Sequence, residues 1–212
     1  MDVGRITPAT RDLLQALNTR KKTLALLPLL DDERPEDEAA RLDDIGVAAF
    51  AFATASEVMQ RAARSTKSVP ALCLPPLREG QACLVARWHG ADGVCIDGAL
   101  PAEEWTKIAA DARSTRMAVL ATVRDAVQAA SAVAAGARGL LLPSSGGDAA
   151  SVLAAVDAVL GAVPRATLLV AHVAGADAAL LRALRGRVDA AVAPPIVHRA
   201  AGFAELQAEL ET

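Results

Sequence analysis

The feature that most constrains this chain is an alternation. A short apolar run is followed by an amphipathic stretch opened or closed by proline or glycine, and the pattern repeats without a break. The apolar runs stand at 23–32 (TLALLPLLDD), 47–54, 68–76, 92–97, 117–122, 138–143, 166–172 and 188–195. Most are continuous rather than alternating, which marks strands buried on both faces, as in a parallel sheet covered by helices. Helical stretches lie between them. The first, 34–46, has Pro35 in its opening turn, acids after it and Gly46 at its end. The next is capped by Ser56 and carries Val58, Met59 and Ala62. Others follow at 79–90, 101–113, 124–136, 148–161 and 176–186, and a last helix runs from about Arg199 to Leu210. Before the first strand, Thr7-Pro8 opens a short helix with Leu13, Leu14 and Leu17 on one face, ending near Asn18.

Eight strands thus alternate with eight helices at roughly 26 residues per unit, the count that closes a (β/α)8 TIM barrel. The expected architecture is a single barrel domain over 1–212, with residues 1–20 as an N-terminal helical extension. An open doubly wound sheet is the alternative. A weak internal repeat favours closure, because Gly46, Gly90, Gly136 and Gly186 each precede an even-numbered strand, 44, 46 and 50 residues apart. That spacing is two strand–helix units.

Composition narrows the function classes. A net charge of −3 with 2% aromatic residues provides neither the basic footprint nor the stacking surface of a nucleic-acid binder. No apolar run approaches the ~18 residues that span a bilayer. The opening MDVGRITPATRD has no apolar core of a signal peptide, so a cytoplasmic location is expected. Cys73, Cys83 and Cys95 fit neither a disulfide framework nor zinc-ligand spacing and read as small buried hydrophobes.

Three segments, QACLVARWHGADGVCI (81–96), MAVLATVRDAVQAASAVAAGARGLLL (117–142) and RVDAAVAPPIVHRAAGFAELQAEL (187–210), together with the short helix before the first strand, resemble indole-3-glycerol phosphate synthase. The resemblance covers roughly residues 20 to 210 and implies a (β/α)8 barrel from a lyase family of tryptophan biosynthesis. It also implies a set of reactive strand ends that this chain does not carry. Where the family has Glu-x-Lys on the first strand, the matching positions are Leu26 and Pro28. The third-strand Arg-Lys-Asp-Phe corresponds to Cys73, Leu74, Pro75 and Pro76, and the fifth-strand Glu-Val-His-Asp to Thr122, Val123, Arg124 and Asp125. The sixth strand ends Pro143, Ser144, Ser145 in place of Asn-Asn-Arg, and the seventh has Ala171, His172, Val173, Ala174 in place of Ser-Glu-Ser-Gly. The phosphate-gripping glycine after strand eight is Pro194, followed by Pro195. Leucine, proline and threonine cannot transfer the protons that reaction needs, and proline offers no N–H to a phosphate. The family's catalytic residues are therefore not transferred.

What remains polar at the strand ends is Asp31, Asp32, Thr54, Asp97, Thr122, Arg124, Ser144, Ser145, His172 and His198. His172 oriented by Asp31 or Asp97 is the candidate acid–base pair, and the same three side chains are the candidate metal ligands. Ser144, Ser145, Gly146 and Gly147 before a helix form the candidate anion cradle, with an ordinary capped loop as the alternative. His198-Arg199 is read as a solvated helix start, or a phosphate pair. His89 is read as a helix C-terminal dipole partner, and the acids of 31–38 as a solvated helix N-terminus or a partner-facing surface. The expected function is binding of an unidentified protein or small molecule by a barrel that has lost the family reaction, with no cofactor and no metal. The alternative is an enzyme, either an unorthodox lyase of that family or a repurposed barrel using His172.

Overall fold

The computed structural model describes residues 6–19, 21–31, 33–144, 146, 148–175 and 177–212. The first half runs α1 (Leu13–Leu17), β1 (Ala25–Leu30), α2 (Pro35–Ile45), β2 (Phe50–Phe52), α3 (Glu57–Ser65), β3 (Ala71–Leu77), α4 (Gly80–Trp88), β4 (Gly93–Asp97) and α5 (Ala102–Ser114). The second runs β5 (Ala118–Thr122), α6 (Ala126–Ala134), β6 (Gly139–Leu142), α7 (Ala149–Ala162), β7 (Leu168–His172), α8 (Ala178–Leu184), β8 (Ala190–Ala193), α9 (Pro195–His198) and α10 (Phe203–Glu211). The strands pair in sequence order, all parallel, and β8 closes on β1 from Ala25↔Ala190 to Pro28↔Ala193. The sheet is closed, so the open-sheet alternative falls.

Two apolar layers explain why the strands are apolar on both faces. Leu27, Ala51, Leu72, Cys95, Leu120, Leu141, Val170 and Val192 fill the barrel interior. Leu26, Phe50, Phe52, Ile96, Leu140 and Leu169 belong to a second core that also holds buried helix residues such as Leu42, Met59 and Trp105. The interior residues nearest the strand starts are mostly small: Ala25, Ala49, Gly93, Ala118, Gly139 and Ala190. They leave room for Leu13 and Leu17 of α1, both fully buried in the interior cluster. A Cβ on Gly93 would come 2.2 Å from Leu13 Cδ2, which shows how close the fit is. The N-terminal helix is thus the stopper of the N-terminal mouth.

Three of the four repeat glycines do the same local job. Gly46, Gly90 and Gly136 sit at φ 88°, 98° and 94°, where a Cβ is strained. Each closes a Schellman motif, as in Val47 N→Leu42 O with Gly46 N→Asp43 O. Arg116, at φ 60°, closes the same motif before β5 without being glycine.

Two buried carboxylates fix the N-terminal end of the barrel. Asp92, just before β4, accepts from Ala71 N at 3.0 Å and pairs with Arg11 at 2.7 Å and Arg87 at 3.0 Å. Asp189, just before β8, accepts from Leu169 N, Lys21 N and Lys21 Nζ, each at 3.0 Å. Lys21 Nζ also donates to Thr167 O at 2.7 Å and Arg165 O at 3.1 Å, so all three ammonium donors are used.

Four local expectations are corrected. Strand three does not stop at Pro75-Pro76 but runs through them to Leu77, because a register shift between Cys73 and Pro76 lets the prolines sit at a bulge. Ser56 occupies the N-cap of α3, but its side chain makes no capping bond. The final helix starts at Phe203 rather than about Arg199, after Gly202 at φ 92°, and a separate short helix, Pro195–His198, precedes it. Within the N-terminal segment only Leu13–Leu17 is helical among the described residues. The cysteines are buried as expected, and burial pushes the thiols up, Cys83 to about 11 and Cys73 to about 12.

Two stability outcomes follow from these contacts. Asp189→Ala leaves a buried ammonium without its carboxylate and is expected to cost about 3–5 kcal/mol in urea unfolding. Arg116→Gly removes a left-handed strain and is expected to raise stability by up to about 1 kcal/mol in the same measurement.

Candidate functional site at the C-terminal mouth

The chemistry of a barrel sits on side chains that point inward at the C-terminal strand ends. Successive strand residues face opposite ways, so the interior cluster identifies the inward set. On β1 these are Leu27 and Leu29, whereas Leu26 and Leu30 lie in the other core. Pro28 shares the outward phase of Leu26. The match of Leu26 and Pro28 to a Glu-x-Lys pair is therefore one residue out of step with the mouth, and Pro28 is not a replaced reactive group. The inward positions toward the C-terminal end of β1 are leucines all the same, so this strand offers no cation to the mouth.

Continuing the alternation around the rim divides it. Leu29, Leu74 and, one step past β8, Pro194 make one side apolar. On the other side β4 ends in Asp97, β5 in Thr122 and β7 in His172. Arg78 hydrogen-bonds the Asp97 carboxylate, and Ala99 N donates to it at 2.9 Å. Burial draws that carboxyl upward, but Ala99 N–H, Arg78 and then Arg124 outweigh it and hold the group below the usual carboxylate range. Thr122 Oγ1 is buried without a hydrogen-bond partner. His172 is half-buried, and burial lowers its pKa, which favours the neutral imidazole.

The structure does not assemble the candidate acid–base or metal set. Asp31 is exposed and pairs with Arg199 at 2.8 Å, while Asp97 is held by Arg78. Among the described residues no hydrogen bond joins His172 to either carboxylate, and no group of three His, Cys, Asp or Glu side chains is placed to hold a metal. Asp32 lies outside the described residues.

A cavity of ≈ 360 Å³ opens beside His172. Arg124, Ser144 and His172 form its polar rim, and Leu142, Val152 and Ala155 belong to its apolar wall. It runs from the mouth into the space between α7 and the ends of β5, β6 and β7. Of the candidate anion cradle, Ser144 Oγ accepts from Gly146 N at 3.3 Å, and Ser145 and Gly147 lie outside the described residues. The start of α7 already carries an anion, because Asp148 accepts from Ser151 N at 2.8 Å, and that bond lowers its pKa.

His198 is neither at a helix start nor solvated. It ends α9, fully buried, with Nδ1 2.9 Å from Glu38 Oε1 and Nε2 3.1 Å from Leu29 O. Arg41 binds both oxygens of Glu38 and also donates to His198 O at 2.8 Å. This cluster ties α9 and α2 to the end of β1. No sequence signal separated it from a solvated His-Arg pair. Within the 31–38 run, Glu36 pairs with Arg61 at 2.6 Å and Glu38 with Arg41 at 2.7 Å. His89 takes the C-cap of α4, as its position suggested.

No protein-family model and no curated protein matches this sequence. Solved structures do. A crystal structure of 3-hexulose-6-phosphate synthase superposes with a TM-score of 0.71 at 16% identity, over 88% of this chain and 98% of that one. KGPDC from Streptococcus mutans gives 0.69 at 14% identity, over 88% and 95%. At such identities the likeness carries the barrel fold, and neither structure is an indole-3-glycerol phosphate synthase. No helix of the described residues is long and apolar enough to cross a membrane.

The Glu38 cluster gives a pH test. Its hydrogen bond from Arg41 holds the carboxyl below its ordinary 4.5, so the cluster contributes stability above that pH and loses it as pH falls through the lowered value. The stability gap between wild type and Glu38→Gln is expected to shrink from about pH 6 to about pH 3 in equilibrium unfolding.

Proposed function

We propose that this barrel serves by binding and does not perform the ring-closing lyase reaction of the indole-3-glycerol phosphate synthase type. One observation carries the reading: the inward ends of β1 and β3 are Leu29 and Leu74, so neither strand end supplies the ammonium that reaction needs as cation and proton donor. The polar side chains that do reach the rim are occupied or unassisted. Asp97 is neutralised by Arg78, and among the described residues no carboxylate hydrogen-bonds His172. Two proline residues after β8 remove backbone donors from the position where a phosphate would be gripped.

A second reading keeps the barrel as an enzyme of different chemistry. Its support is that His172 combines a depressed pKa with a place on the cavity rim, the condition of a side chain able to accept a proton near neutral pH.

An assay of indole-3-glycerol phosphate formation, with rescue of a tryptophan-requiring strain, separates these readings from the lyase. The expected outcome is no turnover above the uncatalysed rate and no rescue, by wild type and His172→Ala alike. Turnover that falls about 100-fold or more in His172→Ala would establish an active site and end the binding-only reading.

A further inference from the structure

The cavity beside His172 has an unusual position for a barrel site. Its apolar wall is not the barrel interior but the sheet–helix layer, since Leu142 and Val156 belong to that second core. It exists because α7 is alanine-rich and presents Ala155, rather than a large aliphatic, to the sheet at this level. An apolar space of ≈ 360 Å³ open at a polar rim is the general form of a small-molecule site.

The rim sets the head group. Arg124 donates from its backbone to Gln128, and among the described residues its guanidinium enters no hydrogen bond or ion pair. Its charge acts on Asp97 of the neighbouring strand end, but Arg78 already holds that carboxylate by a hydrogen bond. Asp125, next to Arg124 in the chain, and Asp148, at the start of α7, each accept from a backbone N–H of their own helix, Gln128 N and Ser151 N. One unsatisfied guanidinium suits a monoanion. A phosphate dianion would need more positive charge, and the start of α7, the usual helper, is already capped by Asp148.

We propose that the slot between α7 and the ends of β5–β7 binds a small carboxylic acid with an apolar body. The carboxylate meets Arg124 at the rim, and the aliphatic or aryl body lies against Leu142, Val152 and Ala155. A planar carboxylate can take two parallel N–H bonds from one guanidinium, and burial of the body supplies the remaining affinity. His172, neutral and beside the opening, is a hydrogen-bonding neighbour rather than a second cation. This rests on the binding reading above and names its ligand class.

Calorimetric titration of the full chain with hexanoate, hexan-1-ol and inorganic phosphate tests it. Hexanoate is expected to saturate a single site, with hexan-1-ol about ten-fold weaker or more and phosphate silent. Arg124→Gln, an exposed position, is expected to reduce hexanoate to the level of the alcohol while leaving the alcohol unchanged. Ala155→Phe fills the slot and is expected to abolish both. If Ala155→Phe does not fold, methyl chemical shifts of Val152 and Leu142 in the wild type on adding hexanoate give the same answer. Equal binding of acid and alcohol, a response to phosphate alone, no saturation by about 10 mM, or unmoved Val152 and Leu142 methyls would each overturn the proposal. Failure here leaves the absence of lyase turnover standing, whereas lyase turnover would overturn the binding reading whether or not hexanoate binds.

Discussion

A closed eight-stranded barrel encloses an interior that side chains must fill, and much of this molecule follows from how that is done. The interior cluster is built of Ala, Leu, Val and Cys95, with no Phe or Trp in it. Small residues at the strand starts leave a gap that the barrel itself cannot close. Leu13 and Leu17 enter from outside and close it, so the N-terminal segment is part of the core and not an appendage. Burial of each leucine is worth about 1.5–3 kcal/mol. The segment is also where the buried carboxylates find their cations, Arg11 for Asp92 and Lys21 for Asp189. Packing and charge pairing therefore meet at one end of the barrel.

The other end is left with few structural obligations, and it is divided. From β8 round to β3 the inward ends are apolar, while from β4 to β7 they carry Asp97, Thr122 and His172. Fold alone does not assign an activity to such a rim. What bears on function is the combination: a carboxylate already neutralised by one arginine, a second arginine left over, and an imidazole that burial keeps neutral. That set can orient and hold a ligand more readily than it can move protons for it. The cavity next to it extends outward under α7, off the barrel axis.

The architecture was legible because its signals are local. Apolar runs, helix-ending glycines and a two-unit spacing are all readable within a few tens of residues, and the barrel closed as they implied. The phase of β1 was not legible, for a physical reason. A strand buried on both faces has no alternation, so nothing in TLALLPLL says which leucine looks inward. The bulge in β3 was hidden because proline normally ends a ladder, and only the partner strand shows that the chain continues. His198 looked like a surface residue beside Arg199 because its partners, Glu38 and Leu29, lie 160 and 169 residues away. The tether residues Asp92 and Asp189 did stand in the repeat, directly before even-numbered strands, but a charged residue beside a strand reads as solvent-facing until its cation is placed.

The two tethers differ in one respect that bears on the order of assembly. Asp92 is satisfied by Arg11, Arg87 and Ala71, all from the first half of the chain, so it can be paired while the second half is still being made. Asp189 waits for Lys21 across a sequence separation of 168 residues. Closing so long a loop carries an entropic cost that a local contact does not. The first tether is then a local clasp and the second a latch, set beside the seam where β8 closes on β1.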